Sequence, residues 1–332
     1  MGSRTAALFA SLALGVGAVA SLPAIAATAS SPRSATPSTI SHPTWPQGLP
    51  AAYAVPSEGY FQTNFHSAPV AIASLTKMMT AVVVEQHLPL GTSGTGPSWT
   101  VTAADVKLTK AIAKVGGVTI TVRVGEQLSE HLLLEGLLIR SANNFAVMLS
   151  ELTGMRLSSF VWDMNQEARV LGMNHTHYVD PHGLNDGDTS TPADQLIVAQ
   201  KLETYPLLAK IAAMTSVAVP IDGSVATWTP MLGHYGIIGV KTGTTDTAGG
   251  CDVMLVLPHV GKIATPVYVA VFGAHGNDVL ASAGNIALTI EREVASYIKA
   301  HPPTTTTTQP PTSSTSSTTS STTTSGPTTT LP

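Results

Sequence analysis

Three short runs of this chain carry residue types that can do serine chemistry: Ser74-Leu75-Thr76-Lys77, Ser141-Ala142-Asn143 and Lys241-Thr242-Gly243. The steps between them are 67 residues from Ser74 to Ser141 and 100 from Ser141 to Lys241. A serine hydroxyl is a weak nucleophile until a base takes its proton. Lys77 stands one helical turn from Ser74, so the two side chains share a helix face. A lysine amine is a base only when neutral, and burial together with a second cation, Lys241, drives it toward that state. Ser74 at a helix start offers its own N–H, and Thr244 just past Gly243 offers another, as donors to a developing oxyanion. In the same scheme Ser141 relays a proton to a leaving amine and Asn143 holds a substrate amide. Lys241 and Thr242 fix a substrate carboxylate by charge and hydrogen bond. Lys241 is expected to keep its charge, facing that carboxylate.

The elements that position these residues follow from hydrophobic spacing. Leu75 to His87 reads as a helix, with Leu75, Met78, Met79 and Val82 on one face. Leu128 to Arg140 and Asn143 to Thr153 read as two more, which places Ser141 in the break between them. Leu157 to Leu171 is a fourth, stopped by Gly172. Ala51 to Val55 and Tyr60 to Asn64 read as strands around the turn Ser57-Glu58-Gly59, and Val118 to Val124 alternates like another. Ile237 to Val240, Val253 to Leu257 and Val267 to Phe272 are apolar runs of strand length, so Lys241-Thr242-Gly243 is expected just after a strand. Val279 to Lys299 closes the series as a helix. The pattern predicts a sheet built from the first and last segments, with a helical region inserted between them.

Composition narrows the function classes. The 332 residues carry a formal net charge of −4 and 11% charged residues, with no stripe of Lys or Arg, which excludes a nucleic-acid surface. The single cysteine, Cys251, rules out an intrachain disulfide and a cysteine-based zinc site. Residues 1–26 read as a secretory leader: Arg4, the apolar run Ala6 to Ala20, then Pro23 before Ala24-Ile25-Ala26. An uncleaved N-terminal anchor over Thr5 to Ala26 is the alternative. Either way the remainder is expected to work outside the cytoplasm, secreted or associated with a cell wall. Residues 27–45 read as a Ser/Thr/Pro-rich linker and 46–301 as the folded part. Residues 302–332, with 22 Ser or Thr and 6 Pro, read as a disordered tail.

Each run taken alone has an ordinary explanation: a helix cap followed by a surface lysine, a cap between helices, a turn after a strand. Their order, spacing and contexts together match the penicillin-recognising serine enzymes. The chain resembles the D-alanyl-D-alanine carboxypeptidases, the low-molecular-mass penicillin-binding proteins, from about Ala51 to Ile290. Ala73 to Thr80 carries the resemblance, with Met164-Asn165, Ala168, Leu171-Gly172-Met173, Thr176, Pro181-His182-Gly183-Leu184, Ser190-Thr191, Asp194, Gly239 to Gly243, Thr245 and Ala248-Gly249.

The resemblance implies an α/β fold, an antiparallel sheet flanked by helices with an all-helical lobe. It implies serine acyl transfer on the terminal D-Ala-D-Ala of peptidoglycan stem peptides. Ser74, Lys77 and Ser141 would be catalytic, with Asn143, Lys241, Thr242, Gly243 and Thr244 at the substrate. β-Lactam antibiotics would inhibit it, and no cofactor or metal is called for. Two departures stand out. Relatives usually have Gly-Asn-Asp where this chain has Ala142-Asn143-Asn144. Relatives often carry a carboxylate-binding arginine in the stretch that is Phe272 to Leu280 here, where His275 is the only candidate.

Other classes fit less well. A class A β-lactamase would need a water-activating glutamate, and His175 to Asp188 contains none, while Glu167 faces away from its helix's apolar stripe. His175-Thr176-His177-Tyr178-Val179-Asp180-Pro181-His182 has the histidines of a zinc motif in the wrong register. A wall-binding relative that has lost turnover would explain the missing arginine but not three intact runs.

Overall fold

The computed structural model describes residues 43–64, 68–260 and 263–301. The leader at 1–26, all but the last three residues of the linker, and the tail at 302–332 lie outside these residues.

The sheet has five antiparallel strands: β1 (Ala51–Val55), β2 (Tyr60–Thr63), β3 (Ile237–Thr245), β4 (Gly249–Val256) and β5 (Val267–Ala274), in the order β2-β1-β5-β4-β3. It is therefore made from the first and last segments, as expected. Nearly every residue of β1, β4 and β5 is buried, which requires cover on both faces. The closing helix α8 (Val279–Ala300; numbered last of eight) packs along β5 and β4, while a helix at Pro192–Glu203 packs against β1 and β5. β3 is an edge strand, so its outer side is free of sheet partners and faces the helical region.

Seven helices precede α8 among the described residues: α1 (Thr76–His87), α2 (Ala103–Lys114), α3 (Glu130–Leu138), α4 (Asn143–Leu152), α5 (Leu157–Val170), α6 (Pro192–Glu203) and α7 (Pro206–Ala212). Their starts are written in local chemistry. Thr102 and Asp105 cap α2 reciprocally, Ser129 caps α3, Thr191 caps α6 and Asp278 caps α8. α1 is buried along nearly its whole length, from Thr76 to Glu85, and packs against α3, α4, α5 and α6. It is the pillar of the core, and it brings the sheet and the helical lobe to one place.

Three expectations need correction. Val118 to Val124 belongs to no strand, and Val124 lies in a turn. Ile120 and Val122 are buried, as the alternation indicated, yet the backbone pairs with side chains. Asn144 accepts from the Ile120 N–H at 3.2 Å and donates to its carbonyl at 2.8 Å. The helix read from Leu128 begins at Glu130, because Gln127–Ser129 pairs with Ser98–Thr100 instead. The strand read at Ile237 to Val240 runs on to Thr245, so Lys241-Thr242-Gly243 lies inside β3, held opposite β4.

Candidate active site

Ser74 sits in a single 3-10 turn, Ala73–Leu75, that leads directly into α1. The residue before it, Ala73, has φ +48°, a left-handed conformation costing an L-residue roughly 1–2 kcal/mol. Neighbours from distant parts of the chain hold the turn in place. Ile72 donates its N–H to the Asp188 carbonyl at 3.1 Å. Gly183 (φ +79°) presses on the Ala73 carbonyl, and Gly243 of β3 lies so close that a Cβ there would be 2.7 Å from the Ser74 nitrogen. The backbone of β3 thus passes beside the Ser74 N–H, the placement an oxyanion site needs.

Lys77 is fully buried, one turn into α1. Its Nζ is 2.9 Å from Ser74 Oγ, 2.7 Å from Asn143 Oδ1 and within hydrogen-bond contact of the His182 carbonyl. Asn143 Nδ2 donates to the Val118 carbonyl at 3.0 Å, and that contact fixes Oδ1 as the atom turned to the lysine. Two of the three neighbours of Nζ are therefore carbonyl oxygens, which only accept; the third is a hydroxyl, which can also donate. A neutral amine placed here spends its two N–H bonds on the carbonyls and turns its lone pair to the Ser74 hydroxyl. Burial holds Lys77 well below a lysine's ordinary range, and the Lys241 charge adds to the drop, against the opposing pull of Asp180 and Asp188.

Ser141 lies between α3 and α4 with φ +65°, and the N-cap of α4 is Ala142 rather than the serine. Its Oγ is buried without a hydrogen-bond partner. An unsatisfied buried hydroxyl costs about 1–3 kcal/mol, so the explanation for Ser141 lies in the cavity it faces. That cavity, about 140 Å³, is lined by Ser74, Val118, Ser141, Trp228, Thr242, Gly243, Thr244 and Leu280. Trp228 forms one wall, with the Arg140 guanidinium 4.5 Å from its ring centre. Thr244 also borders a second cavity of about 550 Å³, shared with Gly116, Leu184, Asp186 and Thr247.

Five of the eight expected residues, Ser74, Ser141, Thr242, Gly243 and Thr244, therefore line one cavity, and Lys77 joins them through Ser74. Asn143 orients the lysine: its Oδ1 faces Lys77 and its Nδ2 the Val118 carbonyl, which leaves one lone pair and one N–H of the amide unused. Lys241 differs from its expected setting. It is 1% exposed, donates to the Thr242 carbonyl at 2.7 Å, and burial pushes it down to about 7, with Asp252 acting the other way. It is a buried amine beneath the strand rather than an open cation. His275 is exposed and borders a different cavity, with Pro50, Ala71 and Phe272.

The run from His175 to Asp188 is framework for the site. Asp180 accepts the N–H groups of His182 and Gly183 at 2.7 and 2.6 Å and stands 2.9 Å from the His182 ring. Burial alone would raise Asp180, but His182 and those N–H donors outweigh it and hold the carboxyl low. Asp188 goes the other way, pushed up to about 8 by burial and by Asp180. Among the described residues no cluster of three or more His, Cys, Asp or Glu is arranged to hold a metal ion. Sequence reasoning missed the His182 carbonyl and the Gly183 contact. Pro181-His182-Gly183-Leu184 marked the place, but a backbone acceptor leaves no trace in residue type.

Known proteins resemble this chain in sequence and in fold. Residues 62–275 match a family model described as D-alanyl-D-alanine carboxypeptidase. A D-alanyl-D-alanine endopeptidase of Pseudomonas aeruginosa is 33% identical over 227 residues, 62% of this chain and 64% of that protein. The D-alanyl-D-alanine carboxypeptidase DacF of Bacillus subtilis is 29% identical over 188 residues, 55% of this chain and 46% of the relative. The chain thus spans about half to two thirds of the curated relatives it matches. Among solved structures, the Streptomyces K15 DD-transpeptidase superposes with a TM-score of 0.64 at 22% identity, covering 73% of this chain and 95% of that one. A D-alanyl-D-alanine carboxypeptidase of Mycobacterium tuberculosis gives 0.63 at 22% identity, covering 78% and 96%. At these identities the structural likeness shows the fold: the α/β serine penicillin-recognising fold, an antiparallel sheet flanked by helices.

Proposed function

The chain belongs to the D-alanyl-D-alanine carboxypeptidase family, and on that premise we propose that it removes the terminal D-alanine from peptidoglycan stem peptides through an acyl-enzyme on Ser74. The observation that carries this reading is the set of partners around Lys77 Nζ: two carbonyls and the nucleophile's own hydroxyl.

The proposed steps start from those contacts. Neutral Lys77 takes the Ser74 proton as Oγ bonds to the carbonyl carbon of the penultimate D-alanine. The carbonyl oxygen becomes an oxyanion facing the N–H groups of Ser74 and Thr244. As the C–N bond breaks, the proton held by Lys77 passes through the Ser141 hydroxyl to the leaving nitrogen, and D-alanine departs. Water then attacks the ester, Lys77 again accepting a proton, and the shortened stem leaves as its acid. The Thr242 hydroxyl takes the carboxylate of the departing residue, with Lys241 beneath the strand acting through its charge rather than by contact, and the larger cavity beyond Thr244 has room for the stem. A β-lactam enters by the same first step, but its leaving nitrogen stays tethered and obstructs the water. The leader read at residues 1–26 fits a substrate outside the cytoplasm.

One observation favours a second reading, a relative that is acylated but turns over slowly. Among the described residues, those lining the Ser74 cavity include no cation: Lys241 lies beneath it and His275 borders another. Intact-protein mass spectrometry with benzylpenicillin, beside D-alanine release from a stem pentapeptide, separates the two. We expect one penicillin equivalent on the peptide containing Ser74, none on Ser74→Ala, and D-alanine release by the wild type. Acylation without release supports the slow relative, and labelling that survives in Ser74→Ala removes Ser74 as nucleophile.

A further inference from the structure

Behind the edge strand, on β4, lies a carboxylate that the reaction steps above do not use. Asp252 is 1% exposed, and both of its oxygens lack a hydrogen-bond partner. The register of β3 on β4 places it directly opposite Thr242, whose hydroxyl is also buried and unpartnered. Directly opposed residues share a face, with Cβ atoms about 4.5–5.5 Å apart, so a side-chain rotation joins the two polar groups. α8 leaves room for them through Gly284, where a Cβ would fall 3.2 Å from Asp252 Oδ2 and 2.7 Å from the end of Met231.

Donor counting says which protonation state is useful. The Thr242 hydroxyl has one hydrogen, and to grip a substrate carboxylate it must give that hydrogen away. An ionised Asp252 only accepts and competes for the same hydrogen. A protonated Asp252 donates its own O–H to Thr242 Oγ1 and releases the threonine hydrogen toward the cavity. We propose that Asp252 is a positioning residue that works as a neutral acid, turning the Thr242 hydroxyl toward the substrate's carboxylate. Burial moves Asp252 toward that neutral form, pushing it up to about 7, and Lys241 on β3 is the charge that opposes the rise. On β4 itself Cys251 is the ionisable neighbour, raised to about 12 and so uncharged; β5 presents Val271 opposite, and α8 presents Gly284. The proposal rests on the carboxypeptidase reading and adds to it how the carboxylate donor is aimed.

A double-mutant cycle tests it, read as the second-order rate of acylation by a fluorescent penicillin that carries its ring carboxylate, split into binding and limiting rate. Asp252→Leu removes the donor and an unpaired buried acid together, a change a core tolerates well. It should lower the rate roughly ten- to hundredfold, the value of one hydrogen bond to a charged group, chiefly in binding. In a Thr242→Ala background the same change should cost less than about threefold, because the hydroxyl it aims is gone. Asp252→Asn restores a donor and should stay within about threefold of the wild type. Equal losses in Asp252→Asn and Asp252→Leu would show that Asp252 acts as a charge beside Lys241, and would overturn the proposal. So would a loss of the same size in both Thr242 backgrounds, which is what a purely structural role gives. A wild type that the penicillin does not acylate would overturn the carboxypeptidase reading and this inference with it, whereas an acylated wild type with an unaltered Asp252→Leu overturns the inference alone.

Discussion

The backbone of Gly183 lies against the carbonyl of Ala73: a Cβ at position 183 would stand 1.9 Å from that oxygen. This one approach couples two parts of the chain with separate tasks. Ala73 is the left-handed residue that presents Ser74, and the neighbour of Gly183, His182, supplies the carbonyl that takes one Lys77 N–H.

Gly183→Ala should therefore act on both stability and acylation. The new methyl adds the left-handed penalty, roughly 1–2 kcal/mol, and forces the 181–184 segment off Ala73. Thermal unfolding should shift down by a few degrees, about 2–4 °C per kcal/mol for a domain of this size. Acylation by penicillin should fall by more than about tenfold, because Ser74 and the Lys77 acceptor shift together. A variant as active and as stable as wild type would mean that the two segments are not coupled.

The two lysines should respond differently to arginine. Arginine cannot lose its proton at usable pH, so Lys77→Arg loses the base and should acylate about 10²–10⁴-fold more slowly. Lys241→Arg keeps a cation and should lose at least about tenfold less, ~1.4 kcal/mol. The pH profile carries the same division. Lys77 must be neutral to act, so the rate climbs as pH rises through its lowered pKa. Lys241, pushed down to about 7, favours a carboxylate above the strand only while it is charged, so its contribution fades as pH rises beyond that point. The expected profile is a bell, and Lys241→Arg should broaden its alkaline side. Acylation rates measured across pH for the three proteins check both statements.

Glu130, at the start of α3, should make stability fall with rising pH. It is fully buried with neither oxygen bonded; burial pushes it up to about 8, and the nearby Glu85 adds to the rise. Its pKa in the unfolded chain is ~4.3. Between these values the folded state holds a proton that the unfolded chain has released, so stability is full below about 4.3 and declines until about 8. Glu130→Gln is neutral throughout. It should melt close to wild type at pH 4.5 and more stably at pH 8, by up to about 5 kcal/mol over the interval between the two values, read by calorimetry. Equal differences at both pH values would show that Glu130 does not titrate in this window.

Local features were legible in the residues. Ser74 and Lys77 share a face because three residues make nearly one helical turn. The alternation of Val118 to Val124 reported the burial of Ile120 and Val122. It did not report the partner, because Asn144 rather than a strand satisfies Ile120. The same limit hid the length of β3, whose last residues are strand only because β4 lies opposite them.

By itself, then, the sequence singled out Ser74, Lys77, Ser141 and Lys241-Thr242-Gly243 as the residues of the proposed chemistry, because residue type and near-neighbour spacing suggest it. Tertiary structure decided what these groups can do. Lys77 is stripped of water by the packing around α1, and its two N–H acceptors come from 66 and 105 residues away. Asn143 is turned inward by Val118, Lys241 is sealed beneath its own strand, and His275 faces another cavity. Desolvation and hydrogen-bond direction depend on what stands around an atom in space, and only the fold supplies that.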